Sequence, residues 1–258
     1  MEYAQARIQA RFGRRPEPAL WRELRSVSDS GALLAAIQGS VLAPWTAGIE
    51  ARSDLHQIDR ALRERLRAHI REVAAWLPPA WRDAALWILH LPHLPAVMRL
   101  LAGERALAWM WREPALQPAV AAESRPPQAA IAASAFAFLL PGRARRRAAR
   151  GAAPAPSVDA RTAWLNEWRE RWPAEGREGL ERLVATVLTH LERFARARVA
   201  ESGGLRALLE QDLRRLFRRF ALQPAAAFAY LALAALDLER LRAELARCAL
   251  ARRGGRAA

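Results

Sequence analysis

Apolar residues recur along this chain at steps of three and four, and no stretch alternates with a period of two for long enough to make a strand. The clearest instance is 223–250, QPAAAFAYLALAALDLERLRAELARCAL. There Phe228, Leu231, Ala235, Leu238, Leu241, Leu245 and Cys248 fall on one stripe. That pattern predicts a single helix. Pro224 suits its first turn, where a missing N–H costs nothing. Gly254 and Gly255 mark its end. Ala225–Leu236 carries no charge, which predicts burial all round, while the second half is predicted to bury one face. On the wetter side, i,i+3 spacing pairs Asp237 with Arg240, Glu239 with Arg242 and Glu244 with Arg247.

The same periodicity predicts helices along the rest of the chain. A short one covers Tyr3–Phe12. Two more carry Trp21, Leu24 and Val27, then Leu33, Leu34 and Ile37, with Ser28, Asp29 and Ser30 as the capping region between them. Residues 53–77 have the stripe Leu55, Ile58, Leu62, Leu66, Ile70, Val73 and Leu77, with Ser53 or Asp54 as cap and Pro78 and Pro79 as terminator. Residues 79–111 predict two helices divided near Pro92 and Pro95. Four prolines break 113–127, and Ile131–Leu140 reads as a short buried helix. Further helices are predicted over 159–172, 177–200 and 205–222, with Gly203 and Gly204 as punctuation. The expected fold is an all-α multi-helix bundle. It divides into an N-terminal helical region, 1–140, an Arg/Ala/Pro-rich linker or exposed loop, 141–157, and a C-terminal helical region, 158–258, as separate domains or one continuous one.

Charge adds a direction. All 41 basic residues are Arg, and the net charge is +15. Uniform Arg beside so much Ala reads as a compositional bias, yet the charge still favours acidic protein, anionic membrane surface or nucleic acid as partner. It is uneven: residues 1–140 hold 17 Arg against 13 acids, and residues 141–258 hold 24 against 13. Two clusters stand out as candidate partner-binding residues, Arg143, Arg145, Arg146 and Arg147 in the linker, and Arg214, Arg215, Arg218 and Arg219 on one helix. Cys248 is the sole cysteine, so no disulfide forms within the chain. The N-terminus lacks the apolar core of a secretory signal. The longest uncharged apolar runs, 129–140 and 225–236, are 12 residues each, too short to span a bilayer.

Catalytic chemistry is not legible. No Gly-rich loop with a Lys cradles phosphate, no Ser sits in a nucleophile elbow, and no Cys cluster or pair of helical histidines brackets a glutamate. His90 and His93 are three apart, but Pro92 breaks the register between them and no acid lies within a turn. No catalytic, cofactor or metal residue is therefore assigned, and the carboxylates read as partners of neighbouring Arg. The ten Trp read as core, with a stacking platform for single-stranded nucleic acid as the sharper alternative.

The two ends of the chain resemble the C subunit of V-type ATPases, subunit d in eukaryotes. The C-terminal signature of that family, a Pro, an apolar run with a Tyr, an acidic residue and a Leu-Arg pair, corresponds to Pro224, Tyr230, Asp237, Glu239, Leu241 and Arg242. The family usually has Glu-Ile before a basic residue and then Asn-Leu-Arg, where this chain has Asp237, Leu238, Glu239, Arg240, Leu241 and Arg242. The N-terminal signature corresponds to Tyr3, Ala4, Ala6, Arg7 and Arg11, with Gln5 in place of the usual Asn. Trp45 after Pro44 matches an aromatic that closes the second short helix. Leu91–Leu101 follows the family outline, with His93 and Pro95 replacing polar residues. The chain reads shorter than typical members, which leaves one helical lobe unaccounted for. The resemblance implies a funnel of helical lobes on the cytoplasmic face of a membrane, peripheral to it. Such a subunit joins the central-shaft subunits to the membrane rotor ring and couples rotation to proton or sodium transport. It has no active site or cofactor of its own, and no nucleic acid is expected as partner. The alternative from the charge and Trp count is a basic helical nucleic-acid-binding protein. A helical scaffold in another membrane complex is a third reading.

Overall fold

Side-chain caps begin three helices in the computed structural model, which describes residues 1–120, 127–140 and 159–254. The helices are α1 (Glu2–Phe12), α2 (Pro18–Ser26), α3 (Ser30–Gln38), α4 (Leu55–Trp76), α5 (Pro79–Trp87), α6 (Leu94–Leu101), α7 (Gln117–Val120), α8 (Pro127–Ala132), α9 (Ala160–Arg169), α10 (Arg177–Arg196), α11 (Ser202–Arg219) and α12 (Pro224–Gly254). Short 3-10 turns fill several connections, and no strand occurs among the described residues. The protein is an all-α multi-helix bundle.

Asp54 caps α4 by accepting from the Gln57 N–H at 2.9 Å, while Gln57 Oε1 accepts from the Asp54 N–H at 2.8 Å. This is a reciprocal capping box. Asp29 caps α3 through the Ala32 N–H at 2.8 Å, and Asp159 caps α9. Two expectations are adjusted. The break that Gly203 and Gly204 are expected to mark lies just before them, at 197–201, and the glycines fall in the first turn of α11. Ile131–Leu140 is not one helix: α8 ends at Ala132, and a 3-10 turn covers Ala137–Leu139. Ser134 explains the break. Its hydroxyl donates to the Ile131 carbonyl at 2.8 Å and accepts from the Phe136 N–H at 3.1 Å, taking up backbone groups a continuing helix would use.

The chain folds into two compact units, one of Met1–Ala85 with Pro173–Ala258, the other of Leu86–Trp172. Neither boundary falls at the expected 141–157, which lies outside the described residues. The reason is α12, which packs on α1, α3, α4, α10 and α11 and so joins both ends of the chain in the first unit.

Within that unit the two halves of α12 are buried differently, as the charge pattern predicts. Its first half is enclosed: Ala225, Ala226, Ala227, Phe228, Ala229, Tyr230, Leu231 and Leu233 are all buried. Its approach to α10 depends on Gly179, where a Cβ would meet the Ala225 Cβ at 2.7 Å. The second half turns Leu238, Leu241, Leu245 and Cys248 into a core with Trp21, Leu24, Leu33, Ile37, Ile58 and Leu62. Of the three local ion pairs expected there, Glu244–Arg247 forms at 3.1 Å. Asp237 and Arg242 instead bind distant partners, Arg15 and Asp59, at 2.7 and 2.6 Å. Arg240 lies 4.6 Å from the Trp21 ring centre.

The second unit is held by aromatic packing. Trp164, Trp168 and Trp172 meet in sequence, the first pair tilted at 5.1 Å and the second edge-on at 4.9 Å between centroids, and the Trp87 indole N–H donates to the Trp164 carbonyl at 3.3 Å. Fully buried Phe136 receives His90 and His93 edge-on, at 5.4 and 6.2 Å, so both imidazoles serve this core. Residues 79–101 are helical throughout, counting the 3-10 turn Ile88–His93, and are long and apolar enough to cross a membrane by length and composition. That revises the expectation that no segment is long enough. Charged residues interrupt the apolar run, and Pro92 and Pro95 stand where the helix type changes.

Candidate functional site

Sequence reasoning looks for a site in clustered Arg, and the structure divides those clusters. Arg143, Arg145, Arg146 and Arg147 lie outside the described residues. Arg215, Arg218 and Arg219 are exposed on α11; Arg215 pairs with Asp212 at 3.0 Å, and Arg219 stands over the Phe220 ring at 5.9 Å. Arg214 belongs to a different structure. It donates to Glu210 at 2.7 Å, and the same Glu210 oxygen accepts from Arg15 at 3.2 Å.

That link leads to a cleft of about 680 Å³ between α1 with its following turn, residues 40–45, α4 and α12. Arg15 forms its inner wall. Its side chain is 8 % exposed and grips Asp237 with two parallel bonds, Nε to Oδ2 at 2.7 Å and Nη2 to Oδ1 at 2.9 Å. Burial raises the Asp237 carboxyl above its ordinary range, and the Arg15 fork opposes that shift. Arg15 Nη1 is buried without a partner, as is Arg214 Nε. The sequence held one signal of this pair. Asp237 follows directly on the charge-free half of α12, so it is the first charge on a helix otherwise committed to the core.

A second set of groups lines the opposite wall. Arg11 Nη2 donates to Glu72 Oε1 at 2.7 Å, and the other Glu72 oxygen lies 3.5 Å from His69 Nδ1. The His69 ring, 8 % exposed, lies between Trp45 and Tyr230, edge-on to both at 5.0 and 5.4 Å. Its Nε2 is buried without a partner. Burial lowers the His69 pKa below its ordinary 6.5, Arg11 lowers it further, and Glu72 opposes both. Burial likewise raises the Tyr230 phenol.

The His69 shift fixes a pH dependence. The unfolded chain takes a proton at His69 near pH 6.5, and the folded chain does so only at lower pH. Between those values the unfolded state binds more protons, so stability falls as pH drops from about 7 towards 5. Denaturant midpoints measured across that range decline less steeply for His69→Gln than for the natural chain. Equal slopes in the two proteins would assign the effect elsewhere.

The remaining lining residues set the charge. Glu72 and Asp237 each hold one guanidinium, whereas Arg14 and Arg65 line the cleft with no carboxylate partner among the described residues. Arg65 reaches only the Ala47 carbonyl, at 3.5 Å. The cleft is therefore cationic, with aromatic walls. Among the described residues, no group of three or more His, Cys, Asp or Glu is arranged to hold a metal. Of the ten Trp, Trp21, Trp81, Trp87, Trp164, Trp168 and Trp172 are buried and Trp111 is exposed, at 38 %. No family model, no curated protein and no solved structure matches the chain.

Proposed function

We propose that this chain is a non-catalytic central-stalk subunit of a V-type ATPase or ATP synthase. In that role it links the rotary shaft to the membrane rotor ring at the cytoplasmic face and transmits torque for proton or sodium transport. One observation carries the reading: the two segments that resemble the signatures of the C/d family are packed on each other in one unit. Gln5, at the position where the family usually has Asn, accepts from the Leu222 N–H at 3.1 Å, in the turn that leads to Pro224. Leu222 holds a left-handed conformation there, with φ of 66°. Ala4 is buried in α1, and Arg15, just past that helix, holds Asp237 of the C-terminal signature. A rotor adaptor needs a stiff helical body, and α12 gives this unit a helix 31 residues long that touches most of the others.

The test is a tagged pull-down from gently solubilised native membranes, with bound proteins identified by mass spectrometry. Recovery of shaft subunits and the rotor ring is the expected result. Recovery of nucleic acid or unrelated proteins without any ATPase subunit overturns the proposal.

A further inference from the structure

We infer that the cleft between α1, α4 and α12 binds a phosphate-bearing anion attached to an apolar or aromatic body. This inference does not depend on the rotary reading, because it rests on the cleft alone. The argument begins with charge balance. Four guanidiniums line the space, those of Arg11, Arg14, Arg15 and Arg65, against two carboxylates. Both carboxylates are already engaged, Glu72 by Arg11 at 2.7 Å and Asp237 by Arg15 at 2.7 Å. Arg14 and Arg65 are left uncompensated on different walls, one after α1 and the other on α4. A group with several acceptor oxygens satisfies two such forks at once, and a phosphate supplies them in the geometry a guanidinium prefers.

The walls constrain the rest of the ligand. Trp45 and Tyr230 present aromatic surface to the same space, and Pro44 and Val41 add apolar surface at its rim. A volume of about 680 Å³ lies within the range of small-molecule sites and exceeds what a bare phosphate needs. Held by Glu72 and Asp237, Arg11 and Arg15 are oriented before any ligand arrives, which reduces the ordering cost of binding.

The free form and the lipid form of such a ligand share this chemistry, and two assays separate them. Isothermal titration of the full chain with ADP and with inorganic pyrophosphate, at low salt, reads the soluble form. Co-sedimentation with vesicles containing phosphatidic acid reads the headgroup form. Binding in at least one assay is expected, and the double variant Arg14→Gln, Arg65→Gln weakens it by about tenfold or more. Both side chains are on exposed residues, so this variant keeps the thermal midpoint of the natural chain. The control is Arg215→Gln, Arg218→Gln, which removes the same charge from the exposed face of α11. No binding in either assay overturns the inference. So does equal weakening by the control variant, which would mark the attraction as a property of net charge.

Discussion

Replacing Arg15 with alanine destabilises the protein by about 3–5 kcal/mol, the range for removing one partner from a buried ion pair. The magnitude follows from what is left behind. Arg15 and Asp237 are 8 % and 11 % exposed, so the orphaned carboxylate has little access to water. Glu210 also loses the Arg15 bond at 3.2 Å and keeps only Arg214. Because the penalty comes from stranding a charge, replacing both partners recovers most of it. Arg15→Met with Asp237→Leu unfolds close to the natural chain, since the apolar pair strands no charge. Urea unfolding of the two single variants and the double variant decides the matter. A cost below about 1 kcal/mol for Arg15→Ala would place the pair in the class of solvated surface bridges.

Phe217→Ala costs a similar amount, about 3–5 kcal/mol, for a different reason. Phe217 is 1 % exposed, and its ring stacks on Phe12 with centroids 4.3 Å apart and planes 13° from parallel. Truncation removes buried apolar area and opens a cavity between α1 and α11 that the surrounding helices only partly close. Phe217→Leu retains much of the volume and costs less. A double-mutant cycle with Phe12→Ala isolates the ring contact, which is worth about 0.5–1.5 kcal/mol beyond area burial. Independent effects of the two truncations would mean that the rings fill space without a specific contact.

Both predictions concern contacts whose partners the sequence does not announce, although it singles out Asp237 as the first charge of α12. What it does announce is local. The stripe from Leu55 to Leu77 locates α4, Asp54 identifies its cap, and the charge-free run before Asp237 marks the buried half of α12. Each signal lies within a few residues of its consequence. The Arg15–Asp237 pair spans 222 positions and the Arg242–Asp59 pair 183, so nearest-neighbour spacing assigns the wrong partners to Asp237 and Arg242. The division into units is hidden for the same reason. Composition changes at 141–157, but the compact units follow the packing of α12 on α1, α3 and α4. Gly203 and Gly204 locate the break between α10 and α11 to within a few residues, and the helix that follows takes both glycines into its first turn. The cleft is legible only after folding, because its guanidiniums come from two segments of sequence that each look like ordinary solvated Arg.

The late arrival of α12 has a consequence on the ribosome. Trp21, Leu33 and Ile37 pack against Leu238, Leu241 and Leu245, which are synthesised about 200 residues later. At ordinary elongation rates that is a delay of roughly 10–40 s. Throughout that interval the nascent α2 and α3 have only each other and nearby residues such as Leu42, Ile58 and Leu62 to cover their apolar face, and the part that α12 covers stays open. Apolar surface left open for that long during synthesis is prone to aggregation and is the kind of surface that chaperones shield.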